Sequence, residues 1–325
     1  VLAEVGELAS AFKHRAYVSL IAIEILNGNL SGAAQAALRL LDLSEARRLY
    51  DSLGWARYTL GFVHYQRNDL GHAKHNFEQL VEMRYLANAG AAAQGFYGLA
   101  LTYQAMGKPD QARETHQSVL AWAAETGNAG TLIEAESLGS QLALLQGQVP
   151  DASRWASLLG DPVLLMFLLQ VPHLALANVL LAQGTPDALQ NAADLLARLR
   201  QFAEVTHTTW RVMEITAMQA VLKEAEGQRE EALALLEPVL AWAEPHGYIR
   251  LFADLGPKVA GLLEWLYRQG VASEYITQIL ASFATKDQVR MTEALPSSTV
   301  HRPSSFVIEP LTTREVEILE LMAQR

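Results

Sequence analysis

The side chains that could bind a metal or catalyse a reaction are few in this sequence. His72, His75 and Glu78 follow one another at three-residue steps, a spacing that places side chains on one face of a helix. No H-E-x-x-H motif accompanies them, and a zinc site requires a further, specified ligand. The pattern is more typical of a solvated helix surface, and we predict no metal site.

Residues for enzymatic chemistry are also not grouped. The chain contains no cysteine, which removes thiolate nucleophiles, disulfides and cysteine-bound zinc. No serine, histidine and aspartate set, and no pair of carboxylates, stands out from ordinary helix-surface charge. The one Gly-Lys pair, Gly107-Lys108, is followed by Pro109 and does not belong to a phosphate-binding loop. We predict a protein that is not an enzyme and that binds no cofactor through this chain.

The amino-acid composition argues against two further classes, disordered proteins and proteins with a large nucleic-acid interface. Half of the 325 residues are hydrophobic, which is too many for a disordered chain, and the formal net charge is −10. Nucleic-acid binding relies on clustered Lys and Arg, so this acidic balance argues against a large nucleic-acid interface. The absence of cysteine fits a reducing compartment, and we expect the protein in the cytoplasm.

The elements that would position functional residues are helices in repeated pairs. A small, helix-breaking residue recurs every 37 to 43 residues, and an alanine often follows at the fifth position. Small residues let two helix backbones approach closely, and nothing alternates as a strand would. The sequence therefore predicts an all-α superhelix of about seven helical hairpins with a period of about 40 residues. The turn residues are Gly28, Asn68, Gly107, Gly147, Gly184, Gly227 and Gly270, and the alanines are Ala33, Ala73, Ala112, Ala152 and Ala232.

Two of these units resemble the tetratricopeptide repeat (TPR), although the repeat here is longer than the usual 34 residues. The resemblance implies a TPR-like solenoid, which we assign to residues 1–283. The matching residues are Leu60, Gly61, Ala73 and Phe77 in one unit, and Leu99, Ala100, Tyr103, Gly107 and Ala112 in the next.

The TPR resemblance also implies a groove, because the first helices of successive pairs line the concave surface of such superhelices. Aromatic rings beside amides would suit a small polar ligand or an extended peptide. The same rings could instead fill space between adjacent hairpins. The implied groove residues are Arg15, Trp55, Tyr58, Tyr65, Gln94, Tyr97, Gln104, Glu134, Gln141, Asn178, Glu214 and Glu224, with Trp210 and Arg211 beside Glu214 in a second cluster.

Residues 162–183 contain no charged side chain and are long enough to cross a bilayer. Leu176, Ala177 and Leu180 nevertheless occupy the packing positions of the repeat. Gly184 ends the helix at the position that the repeat spacing predicts. Pro172 suits the first turn of a new helix. We predict two helices that meet near Val171, and no membrane contact.

The repeat pattern stops after residue 283. Residues 284–305 are rich in Pro and Ser and predict a linker. Residues 306–325 then resemble the opening of the LuxR-type helix-turn-helix domain, with Thr312 and Glu315 as a capping box. The family's recognition helix is expected beyond Arg325. The residues that match the family are Leu311, Thr312, Arg314, Glu315, Glu317, Ile318 and Leu319.

An array, a linker and this helix in that order resemble the C-terminal part of the MalT-like regulators of the LuxR family. Residues 247–257 are also similar to the end of that family's array. The resemblance implies an ATP-binding switch domain before the array, and effector-promoted self-association and DNA binding of the whole protein. We expect an effector-sensing and signal-relay region that binds a small molecule or a regulatory protein. The alternative is a scaffold that binds only neighbouring domains or partner peptides.

Overall fold

A computed structural model describes residues 2–160 and 168–283. Within these residues the chain forms helices and no strand. The predicted linker 284–305 and the predicted helix 306–325, with Thr312, Arg314 and Glu315, lie outside the described residues. The helices are α1 (Leu2–Asn27), α2 (Leu30–Glu45), α3 (Tyr50–Gln66), α4 (Leu70–Glu82), α5 (Ala89–Ala105), α6 (Pro109–Thr126), α7 (Ala129–Leu145), α8 (Ser153–Ala156), α9 (Pro172–Gln183), α10 (Pro186–Val205), α11 (Thr209–Ala225), α12 (Arg229–His246), α13 (Arg250–Ala253), α14 (Pro257–Arg268) and α15 (Ser273–Ala281).

The seven predicted turn residues all lie between two helices of a hairpin. Each adopts a positive φ, from 59° at Asn68 to 80° at Gly270. This left-handed conformation ends a helix and suits Gly and, less often, Asn. In the described residues, the predicted all-α solenoid of about seven hairpins is confirmed, with α1 and α2 as the first pair and α14 and α15 as the last.

Two features depart from a regular repeat. In the fourth hairpin the second helix, α8, has only four residues. Another four-residue helix, α13, lies between the sixth and seventh hairpins. Helix α13 lies within residues 247–257, a segment that begins with Gly247 in the left-handed conformation.

Small residues set the distance between hairpins. The Phe77 side chain of α4 is fully buried and packs against Gly61 of α3 and Gly98 of α5. A Cβ atom at Gly61 or Gly98 would lie 2.5 Å or 2.3 Å from the Phe77 ring, closer than real Cβ contacts allow. Gly61 and Phe77, two of the TPR positions identified in the sequence, therefore allow α3, α4 and α5 to pack closely around one aromatic side chain.

The first helices of the hairpins form an inner layer that closes on itself. Helix α1 contacts α3, and contacts continue from α3 to α5, α7, α9 and α11. Helix α11 contacts α1 again, and α13 contacts α3. Trp242 of α12 packs on the α1–α2 turn, where a Cβ at Gly28 would lie 2.2 Å from its ring. The described solenoid is a closed ring with a packed centre.

The described part of the uncharged window, residues 168–183, belongs to this ring, and residues 161–167 lie outside the described residues. Residues 168–171 are not helical, so the structure describes only the second of the two helices predicted to meet near Val171. Val171 precedes α9, whose first residue is Pro172, and Gly184 ends the helix with a φ of 67°. In the described ranges, no helix combines the length and the apolar character required to span a membrane.

Candidate functional site

The predicted groove residues fall into three groups by exposure. Because the inner helices close into a ring, the most central of them are buried against other parts of the chain. Arg15 is exposed. The half-buried residues are Trp55, Gln104, Glu134, Gln141, Asn178, Glu214 and Glu224, and the buried ones are Tyr58, Tyr65, Gln94, Tyr97, Trp210 and Arg211.

An aromatic cluster joins opposite sides of the ring. Phe62 of α3 and Trp210 of α11 pack edge to face with ring centroids 5.5 Å apart, and Tyr58 lies 6.2 Å from Phe62. The Arg211 guanidinium carbon lies 3.8 Å from the centroid of the Trp210 ring. Arg211 is fully buried and forms an ion pair with Glu214, whose side chain is 24% exposed. The cluster thus contains a buried cation held by a π face and a carboxylate.

Residues 168–171 lie inside the ring and bind two of the predicted groove residues, Arg211 and Gln94. Arg211 donates a hydrogen bond to the Leu168 carbonyl. The Gln170 backbone N–H donates to Gln94 Oε1 at 3.0 Å, and the Gln170 side chain donates to Ser137 Oγ at 3.0 Å. Two of the predicted groove residues, Gln94 and Arg211, are therefore hydrogen-bonded to a segment of the same chain.

The carboxyl group of Glu134 has an altered pKa in this interior. Burial raises the pKa of its carboxyl group to about 7, and the nearby polar groups of Tyr97 and Gln94 offset only part of this increase. The Tyr97 hydroxyl donates its hydrogen bond to the Thr131 carbonyl at 3.1 Å. Glu134 consequently changes its protonation state near neutral pH, unlike a solvated glutamate.

A second polar cluster fastens α13 to α3. The Tyr65 hydroxyl donates to Asp254 Oδ2 at 2.7 Å, and Asp254 forms an ion pair with Arg250. The Arg250 guanidinium carbon lies 5.4 Å from the Tyr65 ring centroid. The Ile249 N–H donates to the Gln66 carbonyl at 2.7 Å. Sequence reasoning missed Arg250 and Asp254, although their four-residue spacing permits this ion pair on one helical turn.

The half-buried groove residues mostly engage local partners. Gln104 accepts a hydrogen bond from Gln146 at 2.9 Å. Glu224 forms an ion pair with Arg229 across the α11–α12 turn. Trp55 packs edge to face with Tyr58 at 5.8 Å. Gln104 thus joins two successive hairpins and Glu224 lies at a hairpin turn, whereas the Trp55–Tyr58 contact lies within α3.

The histidines considered as metal ligands are not brought together as a set. Glu78 pairs with Lys74 at 3.1 Å and accepts a hydrogen bond from Tyr103 at 2.8 Å. His72 instead lies beside Asp69 and His64, whose ligand atoms all lie within 4.8 Å of one another. His64 was not recognised in the sequence, because the α3–α4 turn is needed to bring it to His72.

Two shallow grooves lie between hairpins. One is bounded by α4, α5 and α6 and includes Phe96 and Tyr103. The other is bounded by α10, α11 and α12 and includes Leu222, Lys223 and Leu235. Neither is lined by a predicted groove residue, so a ligand at those positions would bind away from the interior.

The fold and its interior define a helical repeat protein of the TPR type. Residues 7–269 match the family model of the MalT-like TPR region, and the chain belongs to that family. Comparison with curated proteins finds no match.

Proposed function

We propose that this chain is the sensing and signal-relay region of a transcriptional regulator. Its membership of the MalT-like TPR family supports a regulatory helical repeat. In this proposal a small molecule or a regulatory protein binds the interior of the ring. Binding then controls self-association and DNA binding of the whole protein.

The placement of charge in the interior carries the proposal. Burying a charged group is costly unless it is paired, and apolar residues would fill a structural core without that cost. The ring nevertheless contains Arg211 with no exposed surface, its partner Glu214, and Glu134 with a pKa of about 7. Polar groups that converge in an aromatic interior are typical of ligand sites.

The closure of the ring offers a way to relay binding. The α13–α3 contact depends on a few polar interactions around Tyr65, Arg250 and Asp254. A ligand that binds the closed and the open arrangement with different affinity would shift the population between them. Such a shift would change the surface available to neighbouring domains or to a second copy.

Catalysis, ATP binding and DNA binding are not roles of this chain in the proposed regulator. In this proposal the chain performs no catalytic step, and its interior carries no cofactor. ATP binding and DNA reading belong to an N-terminal switch domain and a C-terminal helix-turn-helix domain, as in the family that the sequence resembles. We place the regulator in the cytoplasm, with no membrane contact.

A scaffold that binds only neighbouring domains or partner peptides is the second candidate. Residues 168–171 favour it, because Gln94 and Arg211 already bind this segment. In that case the interior polar groups serve the internal packing of the ring, and only the outer surfaces recognise partners.

A thermal-shift screen separates the two candidates. The panel contains neutral sugars, amino acids, organic acids and nucleotides at millimolar concentration. Sensing predicts that at least one compound raises the Tm of the wild-type chain, and that Glu134→Gln reduces the shift. The control variant Glu82→Gln, at an exposed position of α4, retains it. If no compound stabilises the chain, the scaffold hypothesis is favoured.

A further inference from the structure

The turn between α3 and α4 gathers two imidazoles around one carboxylate oxygen. His64 Nδ1 lies 3.0 Å and His72 Nδ1 lies 2.8 Å from Asp69 Oδ2. The two imidazole rings stack with centroids 5.0 Å apart. Within the described parts of the chain, this is the group of three His or acidic residues whose ligand atoms are close enough to share an ion.

The backbone explains this convergence. His64 lies in the last turn of α3 and His72 in the first turn of α4. Asn68, with a φ of 59°, reverses the chain between them. Asp69 is the N-cap of α4 and accepts a hydrogen bond from the His72 N–H through Oδ1. Because capping uses Oδ1, Oδ2 remains directed towards both rings.

We propose that His64 Nδ1, His72 Nδ1 and Asp69 Oδ2 bind Zn²⁺, with water as the fourth ligand. Zinc prefers four-coordinate, tetrahedral sites built from His nitrogen and carboxylate oxygen. Bonds of about 2.0–2.1 Å place tetrahedral ligand atoms roughly 3.3–3.4 Å apart. The observed nitrogen–oxygen distances of 2.8 and 3.0 Å are slightly shorter than this spacing, and all three ligand atoms lie within 4.8 Å of one another, so small side-chain movements would bring them to it.

The burial of the three side chains suits reversible metal binding. The His64 side chain is 12% exposed and Asp69 is 24% exposed, so the protein fixes both ligands. The His72 side chain is 70% exposed and leaves an open path from solvent. Burial lowers the pKa of His64, an effect that outweighs the opposing influence of Asp69. A lower pKa favours the neutral imidazole, which is the form that binds metal.

Zinc at this turn would act on the closure of the ring. Gln66 and Arg67 lie between the ligands His64 and Asp69 in sequence. The Gln66 carbonyl binds the N–H of Ile249, and Arg67 Nη2 donates to Ser31 Oγ at 2.7 Å. A metal that fixes the α3–α4 turn would therefore hold the groups through which the second hairpin contacts the first hairpin and α13.

Isothermal titration of the chelator-treated chain with ZnCl₂ at pH 7.5 tests the site. We expect binding of one Zn²⁺ that is weakened at least tenfold by His72→Ala. The matched control is His75→Ala, which removes an exposed histidine from the same helix and leaves the affinity unchanged. Equal affinities of the wild type and His72→Ala, or a loss caused by His75→Ala, would overturn the assignment.

A second variant separates metal binding from folding. Asp69→Asn keeps a good N-cap residue but removes the negative ligand. We expect it to retain the wild-type helical circular dichroism and to lose the increase in Tm that Zn²⁺ causes in the wild type. If Zn²⁺ raises the Tm of Asp69→Asn as much as that of the wild type, Asp69 only accepts hydrogen bonds from the two imidazoles and the proposal fails.

Discussion

Glu134 is the interior carboxylate whose protonation should control stability most clearly. Its pKa is raised to about 7 by burial, from an ordinary value of 4.5. The folded chain therefore binds a proton more tightly than the unfolded chain. The stability that this proton contributes is complete below about pH 4.5 and is lost as the pH rises through 7.

We predict that Glu134→Gln becomes progressively more stable than the wild type as the pH rises. The difference in unfolding free energy should grow by about 2–3 kcal/mol between pH 5 and pH 8. Urea unfolding at both pH values measures it, with Glu82→Gln as an exposed control. A difference that does not change with pH would show that Glu134 titrates as a solvated carboxyl group.

Arg211 is the buried cation on which the interior network depends. Arg211→Met removes the partner of Glu214 and of the Leu168 carbonyl. We expect a loss of about 2–4 kcal/mol, somewhat below the cost for a fully buried pair, because Glu214 keeps some solvent contact. Arg15→Met, at an exposed groove position, should change stability by less than about 0.5 kcal/mol. Equal effects in urea unfolding would contradict this description.

Among the helices, the close packing of α3, α4 and α5 predicts how glycine substitutions change stability. Gly98→Ala places a Cβ 2.3 Å from the Phe77 ring and should destabilise the chain by about 1–3 kcal/mol through overpacking. Gly71→Ala, in α4, meets nothing within 4 Å and should be neutral or stabilising by up to about 1 kcal/mol. Thermal unfolding of both variants checks the contrast, and a tolerated Gly98→Ala would show looser hairpins.

The α13–α3 contact is tested by removing one hydroxyl. Tyr65→Phe deletes a buried hydrogen bond to Asp254, and we expect a loss of about 1.5–3 kcal/mol. Tyr85→Phe deletes a similar bond to Glu125, 3.0 Å long but exposed, and should cost less than about 0.5 kcal/mol. Chemical denaturation compares the two variants. If they are equally stable, the Tyr65 contact does not contribute to closure.

The helices were more predictable than their long-range contacts. Residues such as Gly107 and Asn68 mark helix ends by local backbone chemistry, so the seven hairpins could be read from the sequence. Tyr65 and Asp254 are 189 residues apart, and no local pattern indicates that they meet. The groove residues were predicted from the TPR positions that line the concave surface in that family. Their burial follows from the closure of the ring, which depends on small rotations accumulated over many hairpins.

At the scale of the whole molecule, closure changes what a TPR-like groove can do. An open superhelix offers its concave surface to partners. Here residues 168–171 occupy that surface, and α11 and α13 return to the first two hairpins. The proposed ligand of the interior would therefore compete with contacts that the chain makes with itself. In the proposed function, this competition would couple ligand binding to a change in the arrangement of the ring.

Hydrogen exchange detected by mass spectrometry tests this claim most directly. Without ligand, the Gln170 and Ile249 amides should be strongly protected, because both donate hydrogen bonds across the ring. Adding the most stabilising compound from the thermal-shift panel should change exchange in peptides that cover residues 168–171 and 247–254. Rapid exchange of both segments in the free chain, or exchange there that no stabilising compound alters, would contradict sensing through the closed ring.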